Sequence, residues 1–349
     1  MKKIIIYFCG FTIIFFIAPA ICTVSPKNEN TQETMADEQT QTTDETQKNQ
    51  VNKGEQTEST ISESKYSTIK LLHSDTEEVQ ELNIDEYLYG VVSSEMPANF
   101  EIEALKAQAV VARTYTMYQI INNASKHENA DICDNYACCQ AWITKEERLA
   151  KWSAEEAESN WNKIVEAVNS TTGKIVTYEG APINAFFHAN SGGVTESSLN
   201  IWGGIDYPYL KSVETAGEEG YTQYASQVVL SQQELLEKIK TKYEDCEIDF
   251  SQENCIQILE YTTSGRVKTI KFGNKEIAGT EARTLLGLKS TNFTFSRDGE
   301  NIIFSVTGYG HGVGMSQTGA DALAKACSNY ESIIKHFYTN VEITEVNSL

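Results

Sequence analysis

Residues 91–115 read VVSSEMPANFEIEALKAQAVVARTY, and the rest of the chain is best understood outward from them. A single carboxylate, Glu95, sits in a turn-like Ser-Ser-Glu-Met-Pro segment that leads into a helix, with Asn99 as its expected N-cap. Ile102, Leu105, Ala109, Ala112 and Thr116 recur at helical spacing on one side. Lys106 and Arg113 lie on another side, seven residues apart and therefore two turns apart on one stripe. Two readings stay open on these residues alone. Either an acid and two cations grip a polar substrate, or a surface glutamate precedes a solvated face with ordinary cations.

Toward the N-terminus, Ser67–Leu72 and Val79–Leu82 read as strands around a Ser74-Asp75 turn, and Asp85 can cap a short helix that Gly90 ends. Residues 25–64 are almost wholly polar and acidic. Such a stretch cannot bury enough apolar surface to offset the entropy of ordering, so a disordered tether is expected. Before it, Met1-Lys2-Lys3 precede an apolar run from Ile4 to Val24, long enough to cross a bilayer. The lysines would keep the short N-terminus cytoplasmic, giving a single-pass protein with its remaining residues outside the cell membrane. A cleaved signal peptide, with Ala18-Pro19-Ala20 as its site, is the alternative. The formal net charge of −21 over 349 residues leaves no basic patch to neutralise phosphates and argues against a nucleic-acid partner.

Toward the C-terminus the first chemistry-bearing cluster is HENADICDNYACCQAW, residues 127–142. His127, Cys133, Cys138 and Cys139 are four soft or borderline ligands within a short, turn-rich segment, able to close around one tetrahedral ion. A Cys3His set leaves no open coordination position, so a zinc ion there would be structural. Buried thiols with a surface histidine are the alternative. Residues 144–170 look helical, and Lys174–Tyr178 and Ile183–Phe187 look like paired strands. They deliver HANSGGVTES, where His188 and Ser191 sit at a strand end beside two glycines, and then the aromatic residues Trp202, Tyr207 and Tyr209. From about residue 215 to 305 the pattern turns strand-rich, with Ser231 capping a helix and Thr280–Leu288 forming another. This region offers nothing catalytic and reads as an auxiliary buttress. Residues 308–320, GYGHGVGMSQTGA, place four glycines around His311, with Ser316 and Gln317 opening a helix. The loop matches neither a phosphate loop nor a dinucleotide fingerprint. The expected fold class is α+β: a mixed helix/strand catalytic domain over 65–342, a β-rich auxiliary subdomain, and a cleft between them.

Taken in order, SSEMP with EALKAQAVVARTY, the His/Cys cluster ending Cys-Gln, FHANSGG and YGHGVGMSQTGA resemble the stage II sporulation protein D family of peptidoglycan lytic transglycosylases. The resemblance spans roughly residues 66–342. It implies a membrane-anchored sporulation enzyme that cuts glycan strands between N-acetylmuramic acid and N-acetylglucosamine during engulfment, leaving 1,6-anhydromuramic ends. Its preferred substrate would be strands stripped of stem peptides by a partner amidase, and it would work among membrane scaffold proteins. By position Glu95 matches the family's catalytic acid, and Lys106 and Arg113 its basic site residues. His188, Ser191, His311, Ser316, Gln317 and, more loosely, Tyr209 match substrate-binding positions. The family's metal-binding form has a histidine where this chain has Cys138, so Cys3His replaces Cys2His2. Two other classes remain open: a non-catalytic glycan-binding enhancer of an amidase, and a zinc hydrolase of stem peptides. The single carboxylate of the motifs suits transglycosylation, because ordinary glycosidases use two. On this reading Lys106 or Arg113 would bind the muramic lactyl carboxylate.

Overall fold

The opening stretch is carried by two consecutive helices, α1 (Ile84–Glu95) and α2 (Ile102–Ile121). The computed structural model describes residues 66–348; the expected anchor and tether, residues 1–64, lie outside them. Among the described residues no helix is long and apolar enough to cross a membrane.

α1 begins where the Asn83 side chain accepts from the Asp85 N–H, and it does not stop at Gly90. Gly90 is kept inside the helix by packing: a Cβ there would lie 2.3 Å from Trp142 Nε1 and 2.7 Å from the Ile143 carbonyl oxygen. Close approach of the 141–143 segment, and not helix termination, is what demands glycine here. Ser-Ser-Glu is accordingly the last turn of α1, and Pro97 follows two residues after its end. Asn99 does not cap α2; Glu101 holds that place, and its backbone N–H donates to Asp321 Oδ1 at 2.6 Å.

α2 lacks the two-sided character expected of it. Ala104, Leu105, Ala107, Ala109, Val110, Val111, Ala112 and Met117 are all buried, and so are Gln108, Arg113, Thr114 and Thr116. A helix buried on all sides is the axis of a core. Around it lie α1, α4 (Ala157–Asn169, preceded by the short α3, Lys145–Lys151), α8 (Gln317–Lys325) and α9 (Tyr330–Phe337). The expected single helix over 144–170 is therefore two, each with its own start; Thr144 and Glu147 form a capping box for α3. Three small sheets border this core. Thr68–Leu72 pairs antiparallel with Val79–Asn83 and parallel with Ile132–Cys133. Lys174–Tyr178 lies between Ala181–Pro182 and Glu342–Glu345. Phe187–His188 pairs in parallel with Met315–Ser316, which joins the two glycine-bearing motifs directly.

After the short helix α5 (Ser198–Trp202), a second core occupies residues 225–307. One antiparallel sheet runs Phe293–Asp298, Asn301–Thr307, Ala225–Ser231, and another runs Lys275–Ala278, Val267–Phe272, Ile256–Tyr261. Helices α6 (Gln232–Lys240, with Ser231 as cap) and α7 (Gly279–Leu286) complete it around Leu235, Ile239, Ile270, Phe272, Ile302 and Phe304. The strand Ala225–Ser231 was not anticipated from sequence. The glycine-rich segment links the two cores: Gly308 N–H donates to Tyr224 O at 2.6 Å and Gly310 N–H to Lys289 O at 3.0 Å. Gly314 has φ of 72°, and a Cβ would fall 1.9 Å from the Phe186 carbonyl oxygen. No other residue fits there.

Candidate active site

The end of α1 opens into a cavity of about 1450 Å³ lined by Glu95, Phe186, His188, Trp202, His311 and Gln317, among others. Glu95 is half-buried. Its Oε1 accepts from the Ala141 N–H at 2.8 Å and its Oε2 from Gln317 Nε2 at 3.2 Å. Burial raises its pKa above the ordinary carboxylate value, outweighing the two donors that pull the other way. Among the described residues that line the cavity it is the only acid. Each oxygen keeps a lone pair free to carry a proton, so the carboxyl is oriented without being locked in its ionised form.

Lys106 and Arg113 do not join it. Lys106 Nζ is tied to Glu103 at 2.7 Å and lines no part of the cavity. Arg113 is 1 % exposed: Nη2 pairs with Asp85 Oδ1 at 2.8 Å, and Nη1 donates to the carbonyls of Thr171 at 2.8 Å and Lys174 at 3.2 Å. Its guanidinium clamps α1 and the strand from Lys174 to α2, and it has no donor directed at a ligand in the cavity. The expectation that either cation reads a lactyl carboxylate is thus corrected by where the side chains go. Neither cation is placed to depress the Glu95 pKa.

The second and fourth motifs divide between lining and support. His188, 4 % exposed, uses Nδ1 toward the Val313 carbonyl at 3.2 Å, while Nε2 is buried without a partner. Burial and the Arg266 charge lower its pKa to about 3, so it is neutral at working pH with Nδ1 protonated and Nε2 a bare acceptor. His311 accepts from the Val313 N–H at Nδ1, 3.0 Å, and burial holds its pKa well below the ordinary value. Trp202, half-exposed, lies 4.6 Å from the Phe186 ring and 5.2 Å from that of His311. Ser191 and Ser316, by contrast, are fully buried and donate to Glu218. Glu218, 0 % exposed, also accepts from Thr318 Oγ1 at 2.9 Å, Thr215 Oγ1 at 2.7 Å and the Ser191 and Gly193 N–H groups at 3.1 Å each. These donors hold its pKa below the ordinary value in spite of burial. Tyr209 is also corrected: its hydroxyl accepts from the Asn184 N–H at 3.0 Å, its ring packs on Tyr178 and Tyr207, and it does not line the cavity.

The His/Cys cluster converges. The ligand atoms of His127, Cys133, Cys138 and Cys139 all lie within 4.8 Å of one another. His127 Nε2 is 3.5 Å from Cys139 Sγ and 3.8 Å from Cys138 Sγ, and the two sulfurs are 3.8 Å apart. Zinc–sulfur bonds of about 2.3 Å at the tetrahedral angle put sulfurs about 3.8 Å apart, and a sulfur–nitrogen edge comes to about 3.6 Å. The donor set fits a tetrahedral ion on both chemistry and spacing. Local bonds build it: Asn135 receives the N–H groups of Cys138 and Cys139, and Lys126 Nζ donates to the Cys138 carbonyl at 2.8 Å. Two residues past Cys139, the Ala141 N–H reaches Glu95, and between them Gln140 Nε2 donates to Tyr87 Oη and Thr116 Oγ1 at 3.1 Å each.

Sequence reasoning missed the Ala141 donor, the Glu218 hub, and Arg148, Arg283 and Lys289, which line the cavity. A backbone donor and a lone surface-type cation leave no pattern in a sequence. Glu218 could have been suspected only from the density of hydroxyl residues at Ser191, Thr215, Ser316 and Thr318.

Residues 72–178 match the family described as Stage II sporulation protein. Stage II sporulation protein D of Bacillus amyloliquefaciens is 35% identical over 292 residues, covering 83% of this chain and 82% of the relative. The protein of the same name from Bacillus subtilis (strain 168) is 33% identical over 282 residues, 80% of each chain. An amidase enhancer of Bacillus subtilis (strain 168) is 30% identical over 304 residues, covering 74% of this chain and 40% of that longer protein. With the motifs, their convergence and the extent of these matches together, the chain belongs to the stage II sporulation protein D family.

Proposed function

We propose that this sporulation protein is a lytic transglycosylase that cleaves the bond between N-acetylmuramic acid and N-acetylglucosamine in peptide-free peptidoglycan strands during engulfment. The observation that carries the reading is Glu95: one acid in the cavity, oriented by two donors, with its pKa raised by burial. Protonated Glu95 gives its proton to the glycosidic oxygen as the bond from muramic C1 breaks. The resulting carboxylate then takes the proton of the muramic C6 hydroxyl while that oxygen bonds to C1. The products are a free sugar hydroxyl and a 1,6-anhydromuramic end; no water is consumed and no second carboxylate is needed. Trp202, Phe186 and His311 offer aromatic surface for sugar rings, and His188 Nε2 a neutral acceptor for a hydroxyl or acetamido N–H.

His127, Cys133, Cys138 and Cys139 would hold zinc, which, with four protein ligands, serves structure. Its place is to fix the loop that offers the Ala141 N–H to Glu95. An N-terminal apolar anchor would keep the domain at the outer face of the engulfing membrane, near the amidase that strips the strands. A second reading, a glycan-binding enhancer of that amidase, is favoured by one finding, the amidase enhancer relative. Glu95→Gln separates the two. An enzyme loses about 10²–10⁴-fold in the rate of forming anhydro ends on purified peptide-free strands. An enhancer keeps its stimulation of the amidase and forms no such ends with either protein.

A further inference from the structure

Among the described residues four Lys and Arg side chains line the cavity: Lys126, Arg148, Arg283 and Lys289. The chain carries 49 acidic against 28 basic residues, so a cation meets a carboxylate partner easily. Lys106, Arg113, Lys268 and Lys275 all do. Among the described residues the cavity cations do not. Lys126 is tied to a carbonyl, and Arg148 lies 5.3 Å over the Trp152 ring with its Nε buried and unpartnered. Lys289 Nζ sits 4.4 Å from the Tyr309 ring centre and 3.5 Å from its hydroxyl. Arg283, on α7, is half-buried and makes no ion pair among the described residues; burial lowers its pKa, and as a like charge it disfavours the protonated forms of His188, His311 and Arg266. A guanidinium partly removed from water, without an anion and close to another guanidinium, is destabilised as it stands. An anionic group arriving from the cavity would relieve it.

We propose that Arg283 and Lys289, projected by the second core beside Tyr309, form a carboxylate-reading subsite of the cavity. It takes the free lactyl carboxylate of a muramic residue and so selects strands whose stem peptides are gone. An amide-linked stem removes that charge and loses the charge-assisted pairing. The second core is then a specificity element, and Arg283 and Lys289 take the part that sequence reading gave to Lys106 and Arg113. This rests on the reading of the ligand as a glycan strand.

Binding measured by titration calorimetry on the inactive Glu95→Gln protein tests it, with peptide-free glycan strands and a neutral chitin oligosaccharide of matched length as probes. The expected result is that Arg283→Gln and Lys289→Gln each weaken the glycan strands by about tenfold, leave the chitin oligosaccharide within about twofold, and flatten the salt dependence of strand binding. Arg283→Lys keeps the charge and most of the salt dependence. Lys289 is exposed, so its variant leaves folding intact whatever Arg283 contributes to the core. Equal losses for both probes, or no loss for either, overturn the subsite. The parent reading fails separately: charge-selective binding by a protein that forms no anhydro ends keeps the subsite and removes the transglycosylase, whereas cutting without charge selectivity does the reverse.

Discussion

Arg113 shows how a residue type in the right motif position can do a different job from the one its charge suggests. Its guanidinium is spent on Asp85 and two carbonyls, so Arg113→Ala leaves a carboxylate and two acceptors short of a donor at the α1–α2 contact. The expected loss is about 3 kcal/mol or more of stability, read in chemical denaturation, with no preferential loss of binding to peptide-free strands. Gln317 acts on the acid itself. It stabilises the ionised form of Glu95, so Gln317→Ala raises the Glu95 pKa further above its ordinary value. The acid form then persists to higher pH, and the alkaline limb of kcat/KM moves upward; a pH–rate profile checks this. Glu218 has a depressed folded pKa. Its stabilisation is therefore complete above the unfolded value of about 4.3 and is lost as pH falls through the folded one. Glu218→Gln costs at least about 2 kcal/mol at pH 7 and flattens the acid side of the stability profile, seen in denaturation at several pH values. Glu95, His188, His311 and Gln317, singled out because their motifs are short and chemically uncommon, all line the cavity. Ser191, Ser316 and Tyr209 share those motifs but face inward, and orientation is a tertiary fact.

At the scale of elements, the loop from His127 to Ala141 carries structure and site together. The convergence of His127, Cys133, Cys138 and Cys139 was readable from composition and spacing; the contact of the loop with Glu95 was not, since the donor is a backbone N–H at Ala141. If zinc fixes this loop, removing it with a chelator, or replacing Cys133 by serine, lowers the unfolding temperature by more than about 5 °C. Metal analysis of the untreated protein should return one zinc per chain. α1 illustrates a recurrent sequence trap. Gly90 reads as a stop, yet the helix runs through it because Trp142 occupies the space a side chain would need. Gly90→Ala is expected to displace Trp142 and with it the Ala141 donor, so it should cost both stability and activity. α2 misled in the opposite sense: its apolar stripe was correctly placed, but polar residues such as Gln108 and Thr114 are buried as well, and the helix is a core axis with no solvent face of its own.

For the whole molecule, motifs far apart in the chain meet in the fold. Phe187–His188 and Met315–Ser316 pair directly, and Gln317 completes the acid at the end of α1. The strand-rich region expected over about 215–305 to be an auxiliary buttress carries Arg283 and Lys289, which line the cavity. A role supplied by two separated cations on a second core has no local signature, so sequence periodicity could place the strands and leave their contribution hidden. The proposed reaction rests on one carboxyl acting alone, first as acid and then as base. Digestion of purified peptide-free glycan in heavy-oxygen water, followed by mass analysis of the new ends, tests that most directly. Transglycosylation through Glu95 gives ends lighter by one water than a reducing end, with no heavy oxygen incorporated, and Glu95→Gln abolishes them. Reducing ends carrying heavy oxygen, or anhydro ends formed equally well by Glu95→Gln, would contradict it.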